Sequence, residues 1–233
     1  MAEGPDISPI LNLLEDARDA GRCAEAAAAL RVLSQLRPEN LQVKAALARA
    51  LFGAGLWQEA WDAYEVRFDL MPEVFTKVTR PGPNGPEAMP IWRGGALPES
   101  LLVMGEQGLG DTIQFARFLP MLRARGVRVH AVLDPRVMKL LAPVLEGIDA
   151  RPGGEAGRIH GVKAWLPLLN LPRALGLRPQ YYQGRIPYLA AEPERVARWR
   201  QRIGDQGFRI GIVWQGNPKA PVDRNRSVPL AVF

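Results

Sequence analysis

Two short polar stretches of this sequence carry residue types suited to ligand chemistry. The first is Gly105-Glu106-Gln107-Gly108-Leu109-Gly110-Asp111, which follows the apolar run Leu101–Met104 and precedes a helical pattern. Glycines between a strand and a helix let the backbone approach a ligand closely. The helix start adds unpaired N–H groups and a positive dipole end, suited to a phosphate or a sugar hydroxyl. Asp111 has two readings here: a group that accepts a proton from a bound hydroxyl, or a plain helix cap. Glu106 is either a buried charge at the strand end or a solvated one. The spacing is G-x-x-G-x-G rather than the dinucleotide pattern G-x-G-x-x-G, and no acidic residue stands where a ribose would need it, which argues against NAD.

The second stretch is Ile210–Pro218 followed by Asp223-Arg224-Asn225-Arg226-Ser227. It reads as a buried strand, Phe208–Trp214, running into a polar loop with Gly216, Asn217 and two arginines. Open parallel sheets hold ligands beyond the carboxyl ends of their strands. Arg226 has the planar fork that grips a diphosphate, while the plainer alternative pairs Arg224 and Arg226 with Asp223 on a surface loop. His130 lies within a strand and His160 in a Gly-rich loop. Neither has a partner at metal-ligand spacing, so no metal site is legible.

These stretches need elements to hold them. Downstream of residue 98 the pattern alternates: strands at Leu101–Met104 and Val127–Leu133, then short ones near Ile148 and Trp165. Helices are expected over Thr112–Arg125, Pro135–Leu145 and Pro193–Ile203. That order predicts a parallel sheet with helices on both faces.

Residues 1–79 are different. Gly21 recurs as Gly55, Glu25-Ala26 as Glu59-Ala60 and Pro38 as Pro72, each pair 34 positions apart. Glycine ends the first helix of each unit in a left-handed cap, alanine allows close helix approach, and proline stops the second helix. Leu47, Leu51, Trp57, Tyr64 and Phe68 supply the large apolar groups. Residues 7–40 and 41–74 therefore resemble two tetratricopeptide repeats. Two units are fewer than such arrays need, so the downstream domain is expected to cover the open end. Cys23 is expected at a packing position.

Residues 80–98 hold five prolines and read as a linker, with Ile91-Trp92 as an anchor that attaches it rigidly. The chain carries a net charge of +6, with an acidic residue excess before position 75 and a basic one after it. Apart from Arg195, Arg198, Arg200 and Arg202 the basic residues are scattered, and no nucleic-acid module accompanies them. No apolar run is long enough for a membrane span, and the single Cys23 forbids an internal disulfide. The first residues carry no secretory pattern, so a cytoplasmic location is expected.

With these residues in view, a family resemblance emerges. The run Gly105–Pro120 is similar to the signature of bacterial tetratricopeptide-repeat proteins with a heptosyltransferase-like glycosyltransferase region. Ile91–Gly94, Leu166–Pro172, Ile186–Leu189 and Gly211–Pro218 look like further landmarks of that family, in the same order. The resemblance implies a GT-B fold, two Rossmann-like domains facing across a cleft with no required metal or cofactor. Residues 99–207 would be the acceptor-side Rossmann-like domain and residues 208–233 the start of an incomplete donor-side domain. On that resemblance Asp111 is the general base, with Gln107, Gly108 and Gly110 forming the acceptor turn. Gly216, Asn217, Arg226 and Ser227 would face the phosphates of a nucleotide-sugar co-substrate. The repeats would engage a protein partner or acceptor, and this stretch alone is expected to show no turnover. The competing expectation is a non-catalytic adaptor whose α/β part is a platform.

Overall fold

The computed structural model describes residues 6–75, 78–154, 159, 161–178, 186–204, 206–217 and 227–233. The chain divides into two units, Met1–Ala190 and Ala191–Phe233. The first combines a helical array with a parallel four-stranded sheet, an α/β arrangement.

The array runs through α1 (Ser8–Asp19), α2 (Cys23–Leu36), α3 (Leu41–Gly53) and α4 (Trp57–Ala63). A 3₁₀ turn, Tyr64–Val66, leads into α5 (Arg67–Leu70) and α6 (Pro72–Phe75). Gly21 and Gly55 take left-handed backbone, φ +83° and +74°, where the chain reverses between helices. Asn40 caps α3 by accepting from the Gln42 and Val43 amides at 3.0 and 3.1 Å. Ala26, Ala27, Ala46, Ala50 and Ala60 are buried with Leu30, Val43 and Leu51. Small residues at these crossings let the backbones approach.

The segment expected to be a linker has structure of its own. β1 (Thr79–Gly82) and β2 (Gly85–Ala88) form an antiparallel hairpin. Ile91 bridges Trp165 in parallel, and Trp92 N–H donates to the Trp165 carbonyl at 2.8 Å. The Trp92 ring is buried, its Nε1 donating to the Ala96 carbonyl at 3.1 Å. Residues 91–92 thus lie along the edge of the sheet.

The sheet contains β3 (Ser100–Met104), β4 (Arg128–Leu133), β5 (Asp149–Pro152) and β6 (Trp165–Pro167). All pairs are parallel, in the order β5-β4-β3-β6. The chain therefore steps outward from β3 to β4 and β5, then returns to the other side of β3 for β6. Strand alternation sorts side chains to two faces. Leu101, Val103, Val129, Ala131, Leu133 and Leu166 enter one core. Leu102, Val132 and Trp165 enter another.

The first core is covered by α7 (Leu109–Ala116), α8 (Leu119–Ala124), α9 (Pro135–Leu141) and α10 (Leu171–Ala174). The second face is reached by α5 and α6 of the helical array rather than by helices that connect the strands. Phe68 and Phe75 from the end of the helical array cover it, with Val78 and Met89, which flank the hairpin. The single helix expected over Thr112–Arg125 is two, α7 and α8. Pro120 stands in the first turn of α8, where its missing N–H is harmless, and it marks a new start rather than a continuation. Past α9 the chain tightens into a 3₁₀ turn, Ala142–Val144, at Pro143.

Ala191–Phe233 contains α11 (Pro193–Ile203), which ends at Gly204 in left-handed backbone, φ +81°. The strand expected over Phe208–Trp214 does not form: among the described residues this run joins no sheet. Phe208 is 94% and Val213 93% exposed. A parallel strand exists only with a neighbour for its backbone groups, so an apolar run alone does not make one.

Candidate functional site

Every parallel strand of this sheet points the same way, so the loops leaving their carboxyl ends share one edge. The strand order reverses beside β3, between β4 and β6, and in open α/β sheets ligands sit in the crevice at such a reversal. The turn Gly105–Asp111 leaves β3 at that point. Gly105 N–H still donates to the Val132 carbonyl of β4 at 2.8 Å, which anchors the start of the turn.

Gln107 then takes left-handed backbone, φ +61°, unusual for a residue with a side chain. Its amide nitrogen donates to the Tyr64 hydroxyl. Gly108 precedes α7 in extended backbone. Its N–H donates to Asp111 Oδ2 at 3.0 Å, and its carbonyl accepts from Thr112 N–H at 3.1 Å and Thr112 Oγ1 at 3.2 Å. A Cβ on residue 108 would meet Asp111 Oδ2 at 3.1 Å, whereas one on Gly110 would meet nothing within 4 Å. The glycines thus have separate tasks: Gly108 makes room for the Asp111 carboxylate, and Gly110 leaves open space at the helix start.

Asp111 is half-buried and caps α7. Gln107, Gly108, Gly110 and Asp111 are therefore together in one turn.

Glu106 is the deciding residue that the sequence left open. Its side chain is 10% exposed and that of Arg67 is 5% exposed. Arg67 donates through Nη2 to Glu106 Oε1 at 2.9 Å and through Nε to Oε2 at 3.2 Å. Leu169 N–H adds a bond to Oε1 at 3.3 Å. Arg67 also donates to the Tyr64 carbonyl at 3.3 Å and to Asn170 Oδ1. Its guanidinium lies 4.6 Å from the ring centres of both Tyr64 and Phe68.

The network continues outward. Asn170 Nδ2 donates to Glu65 Oε1 at 2.7 Å, Glu65 pairs with Arg93, and Arg173 Nε donates to Asp62 Oδ1 at 2.8 Å. A hollow of about 380 Å³ opens beside it, lined among others by Lys44, Asp62, Glu65, Asp69 and Arg93. None of Arg67, Glu65 or Asn170 stands out in the sequence as a site residue. The available signal was a charge inside an apolar run, Val66-Arg67-Phe68, all three of which are buried.

His130 has a partner that spacing did not show: Nδ1 lies 2.9 Å from Asp149 Oδ2 on the neighbouring strand. Hydrogen bonds from Arg151 and then His130 hold the Asp149 carboxyl below its usual range. Among the described residues no cluster of three His, Cys, Asp or Glu could hold a metal ion.

In the second unit, Gly216 N–H donates to Ser227 Oγ at 2.9 Å, and Val228 N–H donates to the Trp214 carbonyl at 3.0 Å. The structure brings Gly216 and Ser227 together with Asn217 adjacent. Arg226, Asp223, Arg224, Asn225 and His160 lie outside the described residues.

Comparison with known proteins adds one relative. The chain is 29% identical over 216 residues to Protein FlbA of Caulobacter vibrioides, a match covering 82% of this chain and 34% of that protein. The chain thus spans about a third of the length of the curated relative it matches. No family model matches, and no solved structure matches. Among the described residues no helix is long and apolar enough to cross a membrane.

Proposed function

We propose that this chain belongs to a cytoplasmic glycosyltransferase-like protein that moves a sugar from a nucleotide-sugar to an acceptor. In this reading the helical array is a pair of tetratricopeptide repeats, and the sheet is the acceptor-side Rossmann-like half of a GT-B fold. The observation that carries the reading is the position of Asp111, in a glycine-rich turn at the carboxyl end of β3 where the strand order reverses. An acceptor hydroxyl bonded to Asp111 would lose its proton to the carboxylate as the oxygen attacks the sugar. The bond from the sugar to the nucleotide diphosphate breaks in the same displacement. The open space at Gly110 and the N–H groups of α7 suit a polar ligand there. Gly216, Asn217 and Ser227 would belong to the donor loop. Calorimetry of the protein against a panel of nucleotide-diphosphate sugars tests the reading. Absence of binding across the panel would sink it.

A second reading has its own support. Glu106 and Gln107 of the turn are already held by Arg67 and Tyr64 of the helical array. That fits an adaptor in which the α/β part is a platform for the helices, and the hollow at Lys44 and Glu65 receives a protein partner. A purified partner that binds wild type but not a Lys44→Glu variant, with no nucleotide-sugar bound, favours the adaptor.

A further inference from the structure

The ion pair between Arg67 and Glu106 has a geometry that a simple strut would not need. Arg67 belongs to α5, and Glu106 is the second residue of the glycine-rich turn. The guanidinium uses two nitrogens on the one carboxylate, at 2.9 and 3.2 Å. It also binds the Tyr64 carbonyl and Asn170, and lies over the rings of Tyr64 and Phe68. The next turn residue, Gln107, is held in left-handed backbone and bonds the Tyr64 hydroxyl. Tyr64 thus touches both Arg67 and Gln107. Two consecutive turn residues are fixed from outside the sheet by side chains three positions apart on one helical segment.

We infer that Arg67 is a positioning residue for the Gly105–Asp111 turn, acting through Glu106, so that the helical array is a structural part of the ligand site. The physical reason is rigidity. A glycine-rich turn has many accessible backbone states, and holding one of them costs conformational entropy. A buried two-point pair at Glu106 and a bond at Gln107 select a single state before any ligand arrives. That state points the Gly108 amide at Asp111 and leaves the side of Gly110 open. This inference rests on the turn being the ligand site of the proposed transferase.

The test must separate positioning from simple stabilisation. Either single change, Arg67→Met or Glu106→Met, strands one member of a buried pair. The double variant Arg67→Met/Glu106→Met replaces both by apolar groups of similar length, which commonly restores stability. The full chain is measured by urea denaturation and by amide exchange resolved at single residues. The double variant should recover most of the stability that the single variants lose. Its amides at Gln107, Leu109 and Gly110 should nevertheless exchange at least about tenfold faster than wild type. Amides of Leu101–Val103 should keep their rates. A double variant of recovered stability with wild-type exchange at the turn would overturn the inference. So would a double variant as unstable as the single ones, because the pair would then hold the fold as a whole. No substrate enters this measurement. Loosening of the turn in a protein that binds no nucleotide-sugar would count against the transferase reading alone.

Discussion

Arg67 and Glu106 stand 39 positions apart and form a two-point ion pair almost closed to solvent. One comes from the helical array and the other from the loop that leaves the first strand of the sheet. The pair therefore joins the two kinds of structure in this unit at the glycine-rich turn.

Arg67→Met should cost about 3–5 kcal/mol of unfolding free energy, because it leaves the Glu106 carboxylate buried without its partner. Urea denaturation of wild type and variant measures it. A loss near zero would mean that water reaches Glu106 freely.

Asp111→Asn keeps an acceptor for the Gly108 amide, so stability should change little. Asp111→Ala removes the cap and should cost about 1 kcal/mol. Asp111→Asn should lower sugar transfer by at least about 100-fold if the carboxylate is the base. A near-normal rate in the Asn variant would leave Asp111 as a cap only. Denaturation and single-turnover transfer assays separate the two roles.

Asp134 caps α9, accepting from the Arg136 amide at 2.9 Å. The Arg136 side chain and then that amide hold its carboxyl down at about 2, against an ordinary 3.8. A depressed carboxyl pKa contributes stability that is fully present above the unfolded value and is lost as pH falls through the folded one. The stability advantage of wild type over Asp134→Asn should thus be constant above about pH 5 and shrink between 3.8 and about 2. Urea midpoints across that range check it, and an advantage that grew on acidification would contradict it.

Gly94 takes φ +106°, and a Cβ there would meet the Ala174 carbonyl at 2.9 Å. Gly94→Ala should lose about 1–3 kcal/mol through backbone strain, with more from the contact itself. Gly95→Ala also has φ +85° but meets no atom within 4 Å, so it should cost less. Thermal unfolding of the two variants, side by side, isolates the part due to close approach.

The sequence by itself determined what depends on near neighbours in the chain. The glycines at 21 and 55 must turn a helix end, the apolar runs at Leu101 and Val129 must be buried, and Pro193 must open a helix. These follow from backbone sterics and short-range periodicity, and the helices followed by a parallel sheet are legible from them. So was the glycine-rich turn with Asp111 at its end. Tertiary structure alone decided the rest. Nothing in the run Phe208–Trp214 says whether a neighbouring strand is there to pair with it, and none is among the described residues. The face of the sheet taken by Phe68 and Phe75 was open to helices of its own. Whether Glu106 was solvated depended on a guanidinium far away in the chain. Burial of a charge is settled by the partner that meets it, and sequence distance carries no record of that meeting.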